Sequence, residues 1–359
     1  MPGATAAPST PTLEEVKRKC GVRSYTDLVR RRQELDSSGH IVYGLLPARS
    51  IGLLVGDSGL GKSPLLYQLA LCVAAGIEFL GAPTTRSDVL LLDYENGIGD
   101  SEDLLARLAK HLGLPAVSEN LWIWNGSDVG LCLTGEEIIR IWASVSLSPS
   151  KLVVIDPLSG FQPGAEEKNS DAARVLSRLR SINREFGTTS VLSHHIRKPS
   201  RDSKATVNLA DFVNPREWFS EARGARALIN SSDVRLGLDL PGVFATVGKT
   251  KGKVSEELSL VMRGFGRVRG EVGPYYLARV FDEEGDPVGY RKLVSAELLF
   301  NGEQQRALAA LADRFRTGEA VAAYGRGDQA TSDFLNKCVR LGLIRKVGRG
   351  LWEKVPVGG

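Results

Sequence analysis

Residues 56–63 read Gly-Asp-Ser-Gly-Leu-Gly-Lys-Ser and satisfy G-x-x-x-x-G-K-[ST] at each fixed position. A loop of this kind turns its backbone N–H groups inward around phosphate oxygens. Gly56, Asp57, Ser58, Gly59, Leu60 and Gly61 would form the cradle, Lys62 would bring a point charge to the β- and γ-phosphates, and the Ser63 hydroxyl would ligate Mg²⁺. The flanks agree. An aliphatic run over 51–55 predicts a strand, and 64–72 continues with helical spacing, so the anion would sit at a helix N-terminus. Pro64 falls in the first turn of that helix, where its missing N–H costs little. These residues predict a nucleotide site.

Other residues could act on the bound phosphates. Asp156 closes the apolar run 152–155 and is the acid expected to hold Mg²⁺ while Ser63 holds it from the other side. Many P-loop ATPases carry a Glu directly after this acid to orient the attacking water, but position 157 is Pro, so the base must come from elsewhere. Glu95, at the end of the strand after the P-loop helix, is the best candidate. Asp93 and the Tyr94 hydroxyl are weaker candidates, since strand alternation turns Asp93 to a different face. His194 and His195 end a later strand.

Strand patterns over 88–97, 121–124, 151–156 and 188–195 alternate with helical patterns over 102–112, 136–144 and 171–186. That alternation predicts an α/β fold with a parallel sheet covered on both faces, and ligands beyond the carboxyl ends of its strands. Glu95, Asp156, His194 and His195 all fall at such ends. From 225 onwards short alternating strands over 227–240, 243–249, 258–264, 275–281 and 288–291 predict an antiparallel extension made of hairpins. Helical stretches over 303–315, 319–324 and 331–341, closed by a hairpin over 343–353 with a glycine-framed tip, predict a winged helix. The expected organisation is a disordered tail and basic helical extension over 1–40, the α/β domain over 41–295 and the winged helix over 296–359.

Composition sets the outer limits. The 359 residues are 42% hydrophobic and 25% charged, as in an ordinary globular protein. No apolar run approaches the roughly 20 residues of a membrane span, so no membrane partner is expected. Residues 1–12 lack the charged and apolar segments of a signal peptide. Cys20, Cys72, Cys132 and Cys338 form no C-x-x-C pair, which predicts reduced thiols in a cytoplasmic protein and argues against a zinc site. A net charge of +4 is only mildly basic and permits nucleic acid without demanding it. Lys17, Arg18, Lys19, Arg23, Arg30, Arg31 and Arg32 make 13–35 either a solvated helical face or an arm for a subunit or nucleic acid.

Residues 56–63, Tyr94-Glu95-Asn96, Val153-Val154-Ile155-Asp156, Val191-Leu192-Ser193-His194-His195 and Ala222-Arg223-Gly224-Ala225 together resemble the RecA-like ATPases. Within that superfamily the resemblance is to hexameric replicative helicases of the plasmid RepA type, and it covers about 41–260. It implies a RecA-like core, ATP and Mg²⁺ as ligands, a homo-oligomer in the form of a hexameric ring, and DNA as partner. It also implies a sensor role at the γ-phosphate for one of His194 and His195. Arg223 looks like an arginine finger reaching the nucleotide of the adjacent subunit, with Lys249 and Lys251 as rivals for that role. The loop 196–222, with Arg197, Lys198, Arg201 and Lys204, would line a channel for single-stranded DNA, partnered by 157–170 with Phe161 as a stacking residue.

The chain departs from this family at both ends. In the winged helix, Thr331, Ser332, Lys337 and Arg340 are expected to face a DNA major groove and Arg345, Lys346 and Arg349 to meet phosphates, although winged helices also dock proteins. The expected function is a Mg²⁺-dependent ATPase acting on DNA, a helicase or motor for DNA replication in a mobile element. The alternatives are a strand-exchange or loading ATPase that does not unwind, and an ATP-responsive DNA-binding regulator.

Overall fold

The computed structural model describes residues 12, 24–27, 29–30, 39–126, 133–165, 167–195, 209, 215–221, 226–241, 244–247, 250–253, 258–266, 270–293, 299–341 and 343–355. Two units separate by their contacts, Met1–Gly39 and His40–Gly359. In the first, a helical turn begins at Tyr25, where Ser24 Oγ accepts from Asp27 N at 3.1 Å and donates to the Asp27 carboxylate. Lys17, Arg18, Lys19, Arg23, Arg31 and Arg32 lie outside the described residues.

The second unit is built on runs of β-branched and aliphatic residues that cannot leave either face in water. After a small hairpin of β1 (His40–Val42) and β2 (Leu46–Pro47) come β3 (Ile51–Gly56), α1 (Lys62–Ala75), β4 (Asp88–Asp93) and α2 (Ile98–His111). β5 (Leu121–Asn125), α3 (Gly135–Val145), β6 (Lys151–Asp156), α4 (Leu158–Phe161), α5 (Asn169–Phe186) and β7 (Thr188–His195) follow. β3, β4 and β6 are buried along almost their whole lengths, as strands covered on both faces must be. Alternation divides their side chains between two cores. Leu54, Val89, Leu91, Leu152 and Val154 pack with α1 and α2, while Leu53, Val55, Leu90, Leu92, Val153 and Ile155 pack with α3 and α5. Each such side chain contributes about 1.5–3 kcal/mol relative to exposure.

The chain continues through α6 (Pro215–Glu221), α7 (Arg226–Ser231), β8 (Val234–Asp239), β9 (Phe244–Val247), β10 (Thr250–Lys253), β11 (Leu258–Gly266), β12 (Gly270–Phe281) and β13 (Pro287–Lys292). Nine strands form one sheet in the order β13-β12-β11-β8-β3-β7-β6-β4-β5. The six from β8 to β5 run parallel and the three beyond β8 are antiparallel. This large, mostly parallel sheet fits a RecA-like P-loop core. The strand carrying the phosphate loop is separated from the strand of Asp156 by β7 alone.

Two expectations change. The stretch 227–240 is not one strand: α7 and β8 divide it, with Leu228 buried as a helical residue and the Asp233 carboxylate accepting from Ile51 N at 2.9 Å. A short apolar run reads alike as helix or strand, and tertiary contacts decided it. The hairpin β9–β10 belongs to its own two-stranded sheet and does not extend the main one.

At the C-terminal end α8 (Gly302–Ala310), β14 (Arg314–Arg316), α9 (Thr317–Tyr324), α10 (Asp328–Arg340), β15 (Ile344–Gly348) and β16 (Leu351–Lys354) enclose Phe300, Phe315, Phe334, Leu335, Cys338, Ile344 and Trp352. Their strands pair in the order β14-β16-β15. β14 replaces the end of the helix expected over 303–315. Only Phe315 of its three residues points inward, too little alternation to read in advance.

Among the described residues no helix is long and apolar enough to cross a membrane.

Candidate active site

The sheet register brings the carboxyl ends of five adjacent strands to one rim. Gly56 pairs with His195 and with Leu238, Ile155 with Leu192, and Asp93 with Asp156. The phosphate loop, His195, Asp156 and the turn carrying Glu95 therefore share that rim.

The loop is shaped for an anion. Gly59 and Gly61 have φ of +78° and +90°, which glycine adopts without strain. Gly61 caps α1 without any side-chain bond, and no acidic residue lies in the first helical turn. α3, by contrast, is closed by a full capping box of Thr134 and Glu137. The first amides of α1 are thus left to an external acceptor, at the positive end of the helix dipole. Pro64 sits in that first turn, as expected.

Lys62 is buried at the base of the loop. Its ammonium donates to the carbonyl oxygens of Gly56 at 3.0 Å and Asp57 at 2.8 Å, and lies 3.1 Å from His195 Nδ1. An ammonium has no acceptor, so Nδ1 must accept and the His195 ring carries its proton on Nε2. His195 is the member of the pair that meets the loop. His194 is buried one residue earlier, in register with Val55.

Asp156 is almost fully buried. Oδ1 accepts from Ser193 Oγ, while Oδ2 has no direct partner. Burial pushes this carboxyl above the usual carboxylate range. Ser193 and Ser63 act against that rise, and the charges of Asp93 and Glu95 add to it. A buried carboxylate oxygen without a partner is costly. A divalent cation between it and the Ser63 hydroxyl would satisfy it, so the residues fit such an ion.

Glu95 is exposed on the rim, and its charge is felt at Asp156. Asp93 is wholly buried with its carboxylate taken up by hydrogen bonds, which excludes it as a base. It does not turn to another face as expected: it stands in register with Asp156 and bonds Tyr67 of α1, and Tyr94 is the residue turned to the opposite core. The Tyr94 hydroxyl is also buried, and burial pushes it up to about 12.

Several contacts here had no local sign in the sequence. Tyr290, on β13, places Oη 3.3 Å from the carbonyl oxygens of Leu60 and Gly61, and its backbone is clasped in both directions by the Gln68 amide of α1. A Cβ on residue 61 would lie 1.9 Å from Tyr290 Oη. Gly61→Ala therefore meets both a clash and a left-handed backbone costing about 1–2 kcal/mol. It is expected to weaken nucleotide binding at least about tenfold, as measured by titration with a fluorescent nucleotide. Tyr290→Phe in the same background should recover part of the loss. Unchanged affinity in Gly61→Ala would contradict this account of the loop.

Three expectations about nucleic-acid contacts fail. Phe161 is buried against Tyr94, with ring centroids 6.2 Å apart, and cannot stack on a strand. Thr331 is buried, bonding to Arg326 O. Lys337 turns inward over the Phe300 ring, with its ammonium on Leu299 O and Gln304 Oε1. Arg223 and Lys249 lie outside the described residues, as do Arg197, Lys198, Arg201 and Lys204. Lys251 lies in β10, opposite Thr246, and its side chain is outside the described set.

A search of curated proteins finds no match to the chain. A family model described as AAA domain matches residues 18–201. The match takes in the phosphate loop, Glu95, Asp156 and both histidines and spans more than half the chain: this protein belongs to the AAA domain family and is a P-loop ATPase in type.

Proposed function

We propose that the protein hydrolyses ATP with Mg²⁺ and drives movement on DNA as a ring of identical subunits, in the manner of replicative helicases of the plasmid RepA type. One observation carries the hydrolytic reading. Pro157 leaves Asp156 without an adjacent carboxylate, and Glu95 stands on the same rim within electrostatic reach of it.

Bound Mg²⁺-ATP supplies a γ-phosphoryl group whose charge the metal offsets. Ser63 and Asp156 would hold the metal. Glu95 accepts the proton of the attacking water. Lys62 exchanges the carbonyl oxygens of Gly56 and Asp57 for phosphate oxygens, and His195, already against Lys62, is the sensor of that exchange. Arg223, or Lys249 with Lys251, reaches the same phosphates from a neighbouring subunit, a contribution of about 10³–10⁵ in rate where such fingers are known.

The order of helix, strand, two helices and a closing hairpin supports a winged helix over the last sixty or so residues. Its helix α10 exposes Asp328, Ser332, Asp333 and Asn336, and two carboxylates there oppose a DNA backbone. Arg345, Lys346 and Arg349 are exposed on and beside β15. The wing is therefore the DNA contact in this reading. An operator-reading regulator, which needs a base-reading helix, draws less support from these residues.

The test is ATPase rate against protein concentration, with and without single-stranded DNA. A specific rate that rises steeply with concentration and is stimulated by single strands is expected. A rate indifferent to both would overturn the shared site and the DNA channel.

A further inference from the structure

Asp93 ends β4 two residues before Glu95, is completely buried, and takes part in no step of the hydrolysis described. Its carboxylate gathers donors from the rim turn and from two helices. Oδ1 accepts from the backbone N–H groups of Glu95 and Asn96, each at 3.0 Å. Oδ2 accepts from Ser101 Oγ of α2 at 2.7 Å and from Tyr67 Oη of α1. Asn96 Nδ2 spans the two oxygens at 3.3 and 3.2 Å and also reaches Tyr67 Oη at 3.2 Å. Asn125, at the end of β5, closes the set by donating to Asn96 O at 3.0 Å.

Burial alone would raise the Asp93 carboxyl, but the bonds from Tyr67, Asn96 N, Ser101 and Glu95 N outweigh it and hold the group below the usual range. It is a fixed anion at neutral pH. One of its oxygens grips the two amides that define the turn from which Glu95 projects. The other grips Tyr67, which lies one helical turn beyond Lys62 and Ser63 on the same helix.

We propose that Asp93 is a positioning residue for the catalytic base, its carboxylate locking the turn that carries Glu95 to the helix that carries Lys62 and Ser63. The inference rests on Glu95 being that base. A shift of the turn by about 1 Å would cost on the order of 10²-fold in rate while leaving the phosphate cradle intact.

The test is kcat and KM for ATP, with Mg²⁺ and the full chain, in Asp93→Ala, Asp93→Asn, Glu95→Gln and the double variant Asp93→Ala/Glu95→Gln. Asp93→Ala is expected to lower kcat by about 10–100-fold with KM unchanged. Asp93→Asn should restore most of the rate. Its amide oxygen can keep both backbone N–H bonds, and the Tyr67 and Ser101 hydroxyls can turn to accept from its NH₂. The double variant should be no slower than Glu95→Gln, because no base is left to position. Losses that multiply in the double variant, or a loss confined to KM, would overturn the proposal while leaving Glu95 as base. Near-wild-type turnover in Glu95→Gln would remove the base assignment and this inference with it. If Asp93→Ala does not fold, Tyr67→Phe carries the same comparison. It should slow the wild type several-fold and leave Glu95→Gln unchanged, and equal slowing in both would overturn the proposal.

Discussion

Glu95→Gln is expected to bind ATP as well as the wild type and to turn it over roughly 10²–10⁴ times more slowly. The substitution keeps the volume and the turn, since the bonds that hold residue 95 run through its backbone N–H to Asp93. It removes the group that accepts a proton from water. It also removes a negative charge from the rim that would meet the triphosphate, so nucleotide affinity has no electrostatic reason to fall. Steady-state phosphate release, read beside a titration with a fluorescent ATP analogue, separates turnover from binding.

Asp156→Asn is expected to change activity and stability in opposite directions. The lost metal ligand should remove about 3–4 kcal/mol of charge stabilisation, roughly 10²–10³ in rate. Without metal and nucleotide the same variant should be more stable than the wild type at neutral pH, because burial penalises the charged carboxylate and the amide carries no charge. The pH dependence follows from the raised carboxyl of Asp156. The folded state binds that proton more tightly than the unfolded state. The metal-free wild type therefore loses stability as pH rises from the ordinary carboxylate range of about 3.9 through the raised value. The advantage of Asp156→Asn should be full above that window and vanish below it. Thermal melts in EDTA at neutral and acidic pH measure it. With Mg²⁺-ATP the order should reverse, because only the wild type gains the full binding energy. A variant less stable than the wild type in EDTA at neutral pH would contradict the reading of Asp156 as an unsatisfied metal ligand.

The features legible in the sequence are those whose chemistry is contiguous. Residues 56–63 carry their own turn, charge and hydroxyl, and the aliphatic runs ending at Asp93, Asp156 and His195 announce buried parallel strands. A shared rim follows, because carboxyl ends of parallel strands lie on one side of a sheet. Asp93 shows the limit. Alternation misplaced it, since it shares the face of Asp156, and its bonding depends on Tyr67, Ser101 and Asn96 converging from different elements. Tyr290 is more distant still, separated by 229 positions from the glycine it packs on. No spacing rule joins such residues. Thr331 and Lys337 failed for a different reason. Their types suit a groove-facing helix, but helical phase places Thr331 among Phe334 and Leu335, and the Lys337 stem folds over Phe300 to reach carbonyl oxygens.

The most direct measurement mixes equimolar full-length protein with Mg²⁺-ATP, quenches at intervals, and follows ATP and released phosphate for the wild type and Glu95→Gln side by side. The account predicts that the wild type releases phosphate in a single turnover while Glu95→Gln retains intact bound ATP. Release at the same rate by both proteins would contradict it.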